Sequence, residues 1–279
     1  MKHIFCFLLF VVINFGAFAG DSIRVVILHT NDTHSQIEPT VISNLETSDM
    51  GGAARRLGML QTIRGEEKNV LLFDAGDFCQ GTPYFNFYNG RVEIDAMNRM
   101  NYDAVTLGNH EFDNGIDTLV AVLKGAKFPI VSSNYDVSQT PLKEFVKPYM
   151  IVKKFGLKIG VMALNVNPAS LVMQNNYKGL IYNDPLVVAQ QTSEFLKKKK
   201  KCDLVICLSH LGYSLRGNVP DDIKIAQNTQ YIDVIIGGHS HSLLQNASET
   251  NLDGKKVVIA QMGKSGLYLG KIDLTLEKK

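Results

Sequence analysis

Apolar residues gather in short continuous runs: Arg24 to His29, Asn69 to Phe73, Asp103 to Leu107, Pro129 to Ser133, Lys158 to Ala163, Asp203 to Leu208, Asp233 to Ile236 and Lys256 to Ala260. Runs this short, rich in Val, Ile and Leu and closed by polar or turn-forming residues, predict strands buried on both faces. Helical patterns over Gly52 to Arg64, Glu93 to Asn101, Ile116 to Gly125 and Pro185 to Lys201 separate many of them. Such alternation predicts an α/β architecture with helices covering a sheet. The final run, LYLGKIDLTLE from Leu267 to Glu277, alternates apolar and polar instead. It reads as an edge or antiparallel strand, so the sheet is expected to be mixed.

The amino terminus has a different pattern. Lys2 and His3 precede an apolar run from Ile4 to Phe15, and Ala17-Phe18-Ala19 places small residues at cleavage spacing. This predicts a signal peptide over residues 1–19, with Gly20 the first mature residue. Later segments fall short of the ~20 apolar residues of a membrane-spanning helix, so the mature chain is expected to be exported, periplasmic or extracellular, with no membrane span. Cys6 lies inside the apolar run, away from the cleavage point, and offers no site for a lipid anchor.

Cleavage would leave Cys79, Cys202 and Cys207, an odd number that cannot form a complete disulfide framework. Cys202 and Cys207 flank or occupy one extended strand, too far apart to bridge, so buried thiols are expected. With 29 basic and 27 acidic residues the chain has a formal net charge of +2, which gives no basic excess for a nucleic-acid partner. The lysines from 197 to 201 close a predicted helix, where cations favour the negative end of its dipole. Without repeats, low-complexity tracts or linkers, residues 20–279 are expected to form one domain.

The chemistry lies at the ends of the predicted strands. VVILHTNDTHSQI continues into Asp32 and His34, VLLFDAGDFCQGTP into Asp74 and Asp77, and DAVTLGNHEFDNG into Asn109, His110 and Asp113. LVICLSHLGY contributes His210, and VIIGGHSHSLL contributes His239 and His241. Ligands of α/β sheets gather beyond the carboxyl ends of strands, so these loops can converge. Carboxylates, imidazoles and one amide oxygen suit hard-to-borderline divalent cations such as Zn²⁺, Mn²⁺, Mg²⁺ or Fe. Asp32 with His34, and His239 with His241, stand two apart and can share a face of an extended loop. Asp32, His34, Asp77, Asn109, His210, His239 and His241 exceed the needs of one tetrahedral ion, and two ions sharing a bridging carboxylate would use them all. Asp74 reads as a turn residue satisfying backbone groups, Glu111 as a carboxylate meeting nearby backbone, and Phe112 as a loop anchor.

HTNDTH, GDxxxGTP, GNHEFD and GGHSH occur here in the order found in the calcineurin-like metallophosphoesterases, and the chain resembles the catalytic domain of their 5′-nucleotidase branch over essentially all of the mature sequence. The resemblance implies a four-layer αββα sandwich of two mixed sheets, the metallo-dependent phosphatase fold. It also implies two divalent metal ions, one held by Asp32, His34, Asp77 and His241, the other by Asp77, Asn109, His210 and His239, with Asp77 bridging. By the same resemblance His110 oriented by Asp113 is a catalytic dyad rather than a ligand pair. An imidazolium beside a carboxylate can stabilise charge on a phosphoryl oxygen or leaving group. A metal-bound hydroxide attacking phosphorus, without a phosphoenzyme, is the reaction this predicts. GGAARR at residues 51–56 also resembles the family, with Arg55 or Arg56 tying down the helix or touching phosphate. Asn134, beyond the strand ending at Ser133, is a candidate substrate contact in the pocket.

Two departures bear on the substrate. Exported 5′-nucleotidases that resemble this sequence continue into a domain that recognises the base, and that C-terminal nucleotide-recognition domain is expected to be absent here. The expected activity is therefore hydrolysis of small-molecule phosphate esters, first of all nucleoside monophosphates. The alternatives are a catalytic subunit completed by a separate nucleotide-recognition subunit, a 2′,3′-cyclic nucleotide phosphodiesterase or a UDP-sugar hydrolase. His241 is the second departure, since many 5′-nucleotidases have Gln or Asn at that place; metal binding survives the change, but the substrate subclass is left open.

Overall fold

Neighbouring residues of the strand Ser22–Thr30 look into two different cores. Successive side chains of a strand point to opposite faces. Val26 and Leu28 pack with Leu60, Ile94 and Leu123, whereas Val25 and Ile27 pack with Ile159, Ile206 and Val258. The first core lies between the sheet and the helices Ala53–Glu66, Arg91–Met100 and Gly115–Leu123. The second lies between this sheet and another one. A third core, holding Met162, Val205 and Ile259 together with Ala189 and Ile225, covers the far face of the second sheet with the helices Pro185–Glu194 and Asp222–Gln227. Three cores between four layers make the αββα sandwich. This computed structural model describes residues 9–13, 22–41, 46, 48–245 and 247–277.

The first sheet runs in the order Leu9–Ile13, Gly270–Glu277, Ser22–Thr30, Val70–Asp74, Ala104–Thr106, Ile130–Val131 and Val146–Lys147. Only Gly270–Glu277 against Ser22–Thr30 is antiparallel in it. The second sheet runs Ala247–Thr250, Lys256–Ala260, Val234–Gly237, Leu204–His210, Leu157–Asn165 and Tyr149–Lys154, with its two outer pairs antiparallel and its inner pairs parallel. Both sheets are mixed. A separate two-stranded pair joins Tyr135–Asp136 to Ile181–Tyr182. The parallel centre of each sheet delivers the carboxyl ends of its strands to one edge, which is where the polar motifs begin.

Several sequence expectations are refined. The terminal strand starts at Gly270 and is antiparallel as expected, but Leu9–Ile13 pairs with its first part, so that part is not an edge. The other residues of the expected leader, 1–8 and 14–19, lie outside the described residues. Helix Pro185–Glu194 passes into a π-helical turn at Phe195–Lys199, where Lys197 Nζ donates to the Asp203 carbonyl at 2.8 Å. That lysine is therefore tied to a strand start rather than wholly solvated. The strand Tyr149–Lys154 and the short helices Pro83–Tyr88 and Asp222–Gln227 escaped the sequence reading, because six residues are too few for a helical period to register.

Cys79, Cys202 and Cys207 are free and buried, as expected. Burial pushes the Cys79 and Cys207 thiols well above their ordinary range, so they pack as small apolar groups. Among the described residues no helix is long and apolar enough to cross a membrane. Leu208 is fully buried in the core between the sheets, two residues before His210. Leu208→Ala is expected to cost about 2–5 kcal/mol, read as a lowered urea midpoint with an unchanged slope.

Candidate metal centre

Two loops of the first sheet are zipped together by their backbones. Asp32 N donates to the Gly76 carbonyl at 2.9 Å and His34 N to the Asp77 carbonyl at 3.0 Å. The approach is close enough to require glycine. A Cβ at Gly108 would collide with Asp77 Oδ1, and one at Gly76 would stand 2.6 Å from the Gly108 nitrogen. Gly108→Ala is therefore expected to push the Asp77 carboxylate out of place and weaken divalent-cation binding by roughly 10-fold or more, measured by calorimetric titration with Mn²⁺. An unchanged affinity would mean that Asp77 is not held where the structure has it.

The backbone at the site is unusual for side-chain-bearing residues. Asp32, His34, Asp77, His239 and His241 have φ of 48°, 46°, 55°, 69° and 53°. Left-handed conformations are uncommon outside glycine and cost about 1 kcal/mol or more apiece, so they persist where surrounding structure fixes them.

These loops bring all seven candidate ligands into one cluster with two lobes. In one, His34 Nε2 and His241 Nε2 lie 3.0 Å apart, and Asp32 Oδ1 is 3.9 Å from the first and 3.5 Å from the second. In the other, His210 Nε2 is 3.0 Å from Asp77 Oδ2, and His239 Nδ1 is 3.1 Å from Asn109 Oδ1. Asp77 offers a ligand atom to His210 and His239 on one side and to His34 and His110 on the other, all within 4.8 Å of one another in each group. The bridging position expected of Asp77 is thus geometrically available.

The tautomers suit cations. His210 Nδ1 lies 2.7 Å from the Ala75 carbonyl, which accepts only if Nδ1 carries the proton. Nε2 then presents a lone pair, and this buried nitrogen faces the Asp77 carboxylate without a well-formed hydrogen bond. Two lone-pair carriers at 3.0 Å need a positive charge between them. Burial pushes the His210 ring down, but the Asp77 charge outweighs it and lifts its pKa to about 10. The Asp77 carboxyl, which burial would raise, is held below its ordinary range by His210 first and then by His110 and His34. A divalent cation would supply that charge in place of a proton. His239, lowered to about 4 by burial and by His210, and His34, lowered by burial, are neutral and ready to ligate. The donor set of carboxylates, imidazoles and an amide oxygen fits divalent metal ions.

His110 and Asp113 form a hydrogen-bonded pair at the side of this cluster, with a His110 ring nitrogen within 4.8 Å of the ligand atoms of His34 and Asp77. They lie at either end of the 3₁₀ turn His110–Phe112, with His110 Nδ1 2.8 Å from Asp113 Oδ2. Nearly a third of each side chain is exposed. The bond to Asp113 raises the His110 pKa above the ordinary imidazole value and leaves Nε2 free of that bond. His110 N also donates to Asp77 Oδ1 at 2.9 Å, which ties the dyad's loop to the cluster.

Supporting residues behave largely as expected. Glu111 accepts from the backbone N–H of Asp77, Cys79 and Gly108, and Phe112 is fully buried in the helix-side core. Asp74 accepts from Thr30 Oγ1 at 2.5 Å and Gly76 N at 2.9 Å, and burial lifts its pKa to about 7. Arg56 reaches the Gly266 carbonyl at 3.3 Å and Arg55 pairs with Asp49 at 3.0 Å, so both arginines tie backbone and neighbours.

Asn134 is not brought to the cluster. It is fully buried, and its amide spans the backbone of Asn165 at 2.8 Å on both sides. Its polar groups are spent on joining strand ends, which corrects the expectation of a pocket-lining substrate contact. The sequence reading missed Asn165 itself, whose side chain donates to Thr106 Oγ1 and the Leu107 carbonyl just before Gly108. It also missed Gln261, which holds the Gly238 carbonyl at 2.8 Å and Ser240 Oγ at 3.0 Å beneath His239 and His241. A lone amide at a strand end carries no signal of its own, which is why neither was found.

The profile of the calcineurin-like phosphoesterase family matches residues 25–243, a span that takes in every motif of the cluster. The chain belongs to the calcineurin-like phosphoesterase family. Human 5′-nucleotidase is 33% identical over 94% of this chain and 48% of its own length. The crystal structure of a 5′-nucleotidase precursor from Thermus thermophilus superposes with a TM-score of 0.82 at 35% identity, covering 90% of this chain and 51% of that one. The calcineurin-like phosphoesterase YfkN from Bacillus subtilis gives a TM-score of 0.72 at 29% identity, covering 93% of this chain and 87% of the solved one. The chain thus spans about half the length of the 5′-nucleotidases it matches. What it shares with this phosphoesterase family is the sandwich and the strand-end loops.

Proposed function

We propose that the protein is a metal-dependent phosphoesterase whose substrates are phosphate monoesters, nucleoside 5′-monophosphates first among them. The observation that carries the reading is the two-lobed cluster sharing Asp77 beside a separately oriented His110–Asp113 pair. Asp32, His34, Asp77 and His241 would hold one divalent ion, and Asp77, Asn109, His210 and His239 the other. Two such ions lower the pKa of a water and neutralise phosphoryl oxygens during in-line attack. His210 is kept in its ligating tautomer by Ala75, and Asp32 is oriented by the His239 N–H at 3.0 Å and by Asn31 Nδ2 at 2.7 Å. Asp113 holds the His110 ring so that Nε2, as part of an imidazolium, donates toward a phosphoryl oxygen or the leaving group.

Nucleotides are inferred from the relatives, which include 5′-nucleotidases of human and snake venom. The relatives' greater length supports a second possibility, that base selection needs a further recognition domain or subunit. Export, through loss of the leader ending at Ala19, belongs to the same reading; amino-terminal sequencing of the secreted protein should then begin at Gly20. Purified protein with Mn²⁺ or Zn²⁺ is expected to release phosphate from both an aryl phosphate and AMP, and to stop when the ions are chelated. Turnover of the aryl phosphate alone would favour the need for a recognition partner. Turnover of neither would sink the stand-alone enzyme.

A further inference from the structure

The parallel strands Val234–Gly237 and Lys256–Ala260 stay in register as far as Ile236 against Ala260. The chain after Gly237 then turns away and comes back at Leu243, which pairs with Met262. The turn in between carries His239 and His241. Its inner side is occupied by the fully buried side chain of Gln261. Gln261 Nε2 donates to the Gly238 carbonyl at 2.8 Å, while Oε1 accepts from Ser240 Oγ at 3.0 Å and from Ser242 N. These partners settle which way the amide faces, because a carbonyl only accepts and a backbone N–H only donates. Both lone pairs of the oxygen are used, and a donor is needed beside them, so neither an apolar side chain nor a carboxylate makes the same three bonds.

The residues that Gln261 holds alternate with the two histidines: Gly238, Ser240 and Ser242 are bonded to the amide, and His239 and His241 stand between them. The two rings go to different lobes. His239 groups with Asp77 and His210, and His241 with Asp32 and His34. Both have left-handed φ, 69° and 53°, a conformation that persists only where the surroundings over-determine it. The segment that presents Gln261 is itself anchored to the first sheet. Buried Asn31 accepts from Met262 N and donates to the Gly263 carbonyl, each at 2.8 Å, and its Nδ2 also lies 2.7 Å from Asp32 Oδ2.

We propose that Gln261 is a positioning residue for both lobes at once: its one buried amide holds the turn in the shape that sends His239 to one cation and His241 to the other. It touches neither ion and acts through the backbone and hydroxyl groups beside the two rings. Other bonds fix only the ends of the turn or a single residue in it. Leu244 N donates to the Gln261 carbonyl at 3.0 Å, Gly263 N to the Ser242 carbonyl at 2.9 Å, and His239 N to Asp32 Oδ1 at 3.0 Å. Without the amide, the Gly238 carbonyl and Ser242 N would lose their side-chain partner inside the protein, and a buried polar group left unpaired is costly enough to make the turn rearrange.

This role rests on the reading that the cluster takes two cations, and calorimetric titration of the protein with Mn²⁺ tests it. Gln261→Leu, which keeps much of the volume and removes the amide, should weaken both binding events by roughly 10-fold or more. Ile259→Ala, two residues earlier on the same strand and buried in the helix-covered core, separates positioning from stability. It should lower the urea midpoint and leave both affinities near wild type. Should Gln261→Leu fail to fold, Ser240→Ala decides: it removes one of the three bonds and should weaken both events by a smaller factor. Weakening of one event alone, wild-type affinities in the deciding variant, or equal weakening in Ile259→Ala would each overturn the positioning role while the metal site stands. A wild type that takes up no Mn²⁺ would instead fail the phosphoesterase reading, and the positioning role with it.

Discussion

Asp77→Ala is expected to remove both divalent ions and lower phosphate release by more than the ~10²–10³-fold typical of losing one transition-state donor. The side chain is 2% exposed and its oxygens serve both lobes of the cluster. One oxygen lies 3.0 Å from His210 Nε2, and the other accepts from His110 N at 2.9 Å. Truncation therefore removes the shared ligand, the charge that holds His210 and the anchor of the His110 loop together. Asp77→Asn separates these effects, because an amide keeps an oxygen for His110 N but loses the charge. It is expected to bind ions more weakly than wild type and more tightly than Asp77→Ala. Metal content by mass spectrometry and turnover of an aryl phosphate check both variants. One ion retained at full affinity in Asp77→Ala would place this residue in a single site.

His110→Asn should lower kcat by ~10²–10³-fold while leaving two ions bound. The reason lies in how His110 is held. Its Nδ1 is occupied by Asp113 at 2.8 Å, and the pair is partly open to solvent, unlike the buried His210. His110 also sits close to His34, with ring centroids 5.4 Å apart, so the alternative that it ligates an ion is a real competitor. The His110→Asn variant would retain the backbone bond to Asp77 and lose the imidazolium. Asp113→Asn should act in the same direction with a smaller loss, since the ring remains but its orientation and charge lose support. Metal content falling in step with kcat would show that His110 is a ligand.

The sequence made the strand-end chemistry legible because charge and imidazole at the close of an apolar run have no packing reason to be there. Asp32, His34, Asp77, Asn109, His210, His239 and His241 all come to one cluster on that argument. Residue periodicity alone reached only a mixed α/β fold, and the family resemblance was needed for the sandwich. A run such as Arg24 to His29 shows that both faces are buried, but it cannot tell that Val26 meets helices while Ile27 meets a second sheet. The left-handed backbone at Asp32 and His34 was equally hidden, because neither residue type announces that conformation as glycine does. Asn134 misled for a related reason: a polar residue beyond a strand can face a ligand or join two strands. Only the position of Asn165 decides between them.

Anomalous diffraction from crystals of the protein grown with Mn²⁺ tests the central claim most directly. The account predicts two peaks ~3.5–4 Å apart with Asp77 between them, the spacing of two-metal sites, and His110 Nε2 bonded to neither. A single peak, or a peak ligated by His110, would contradict it.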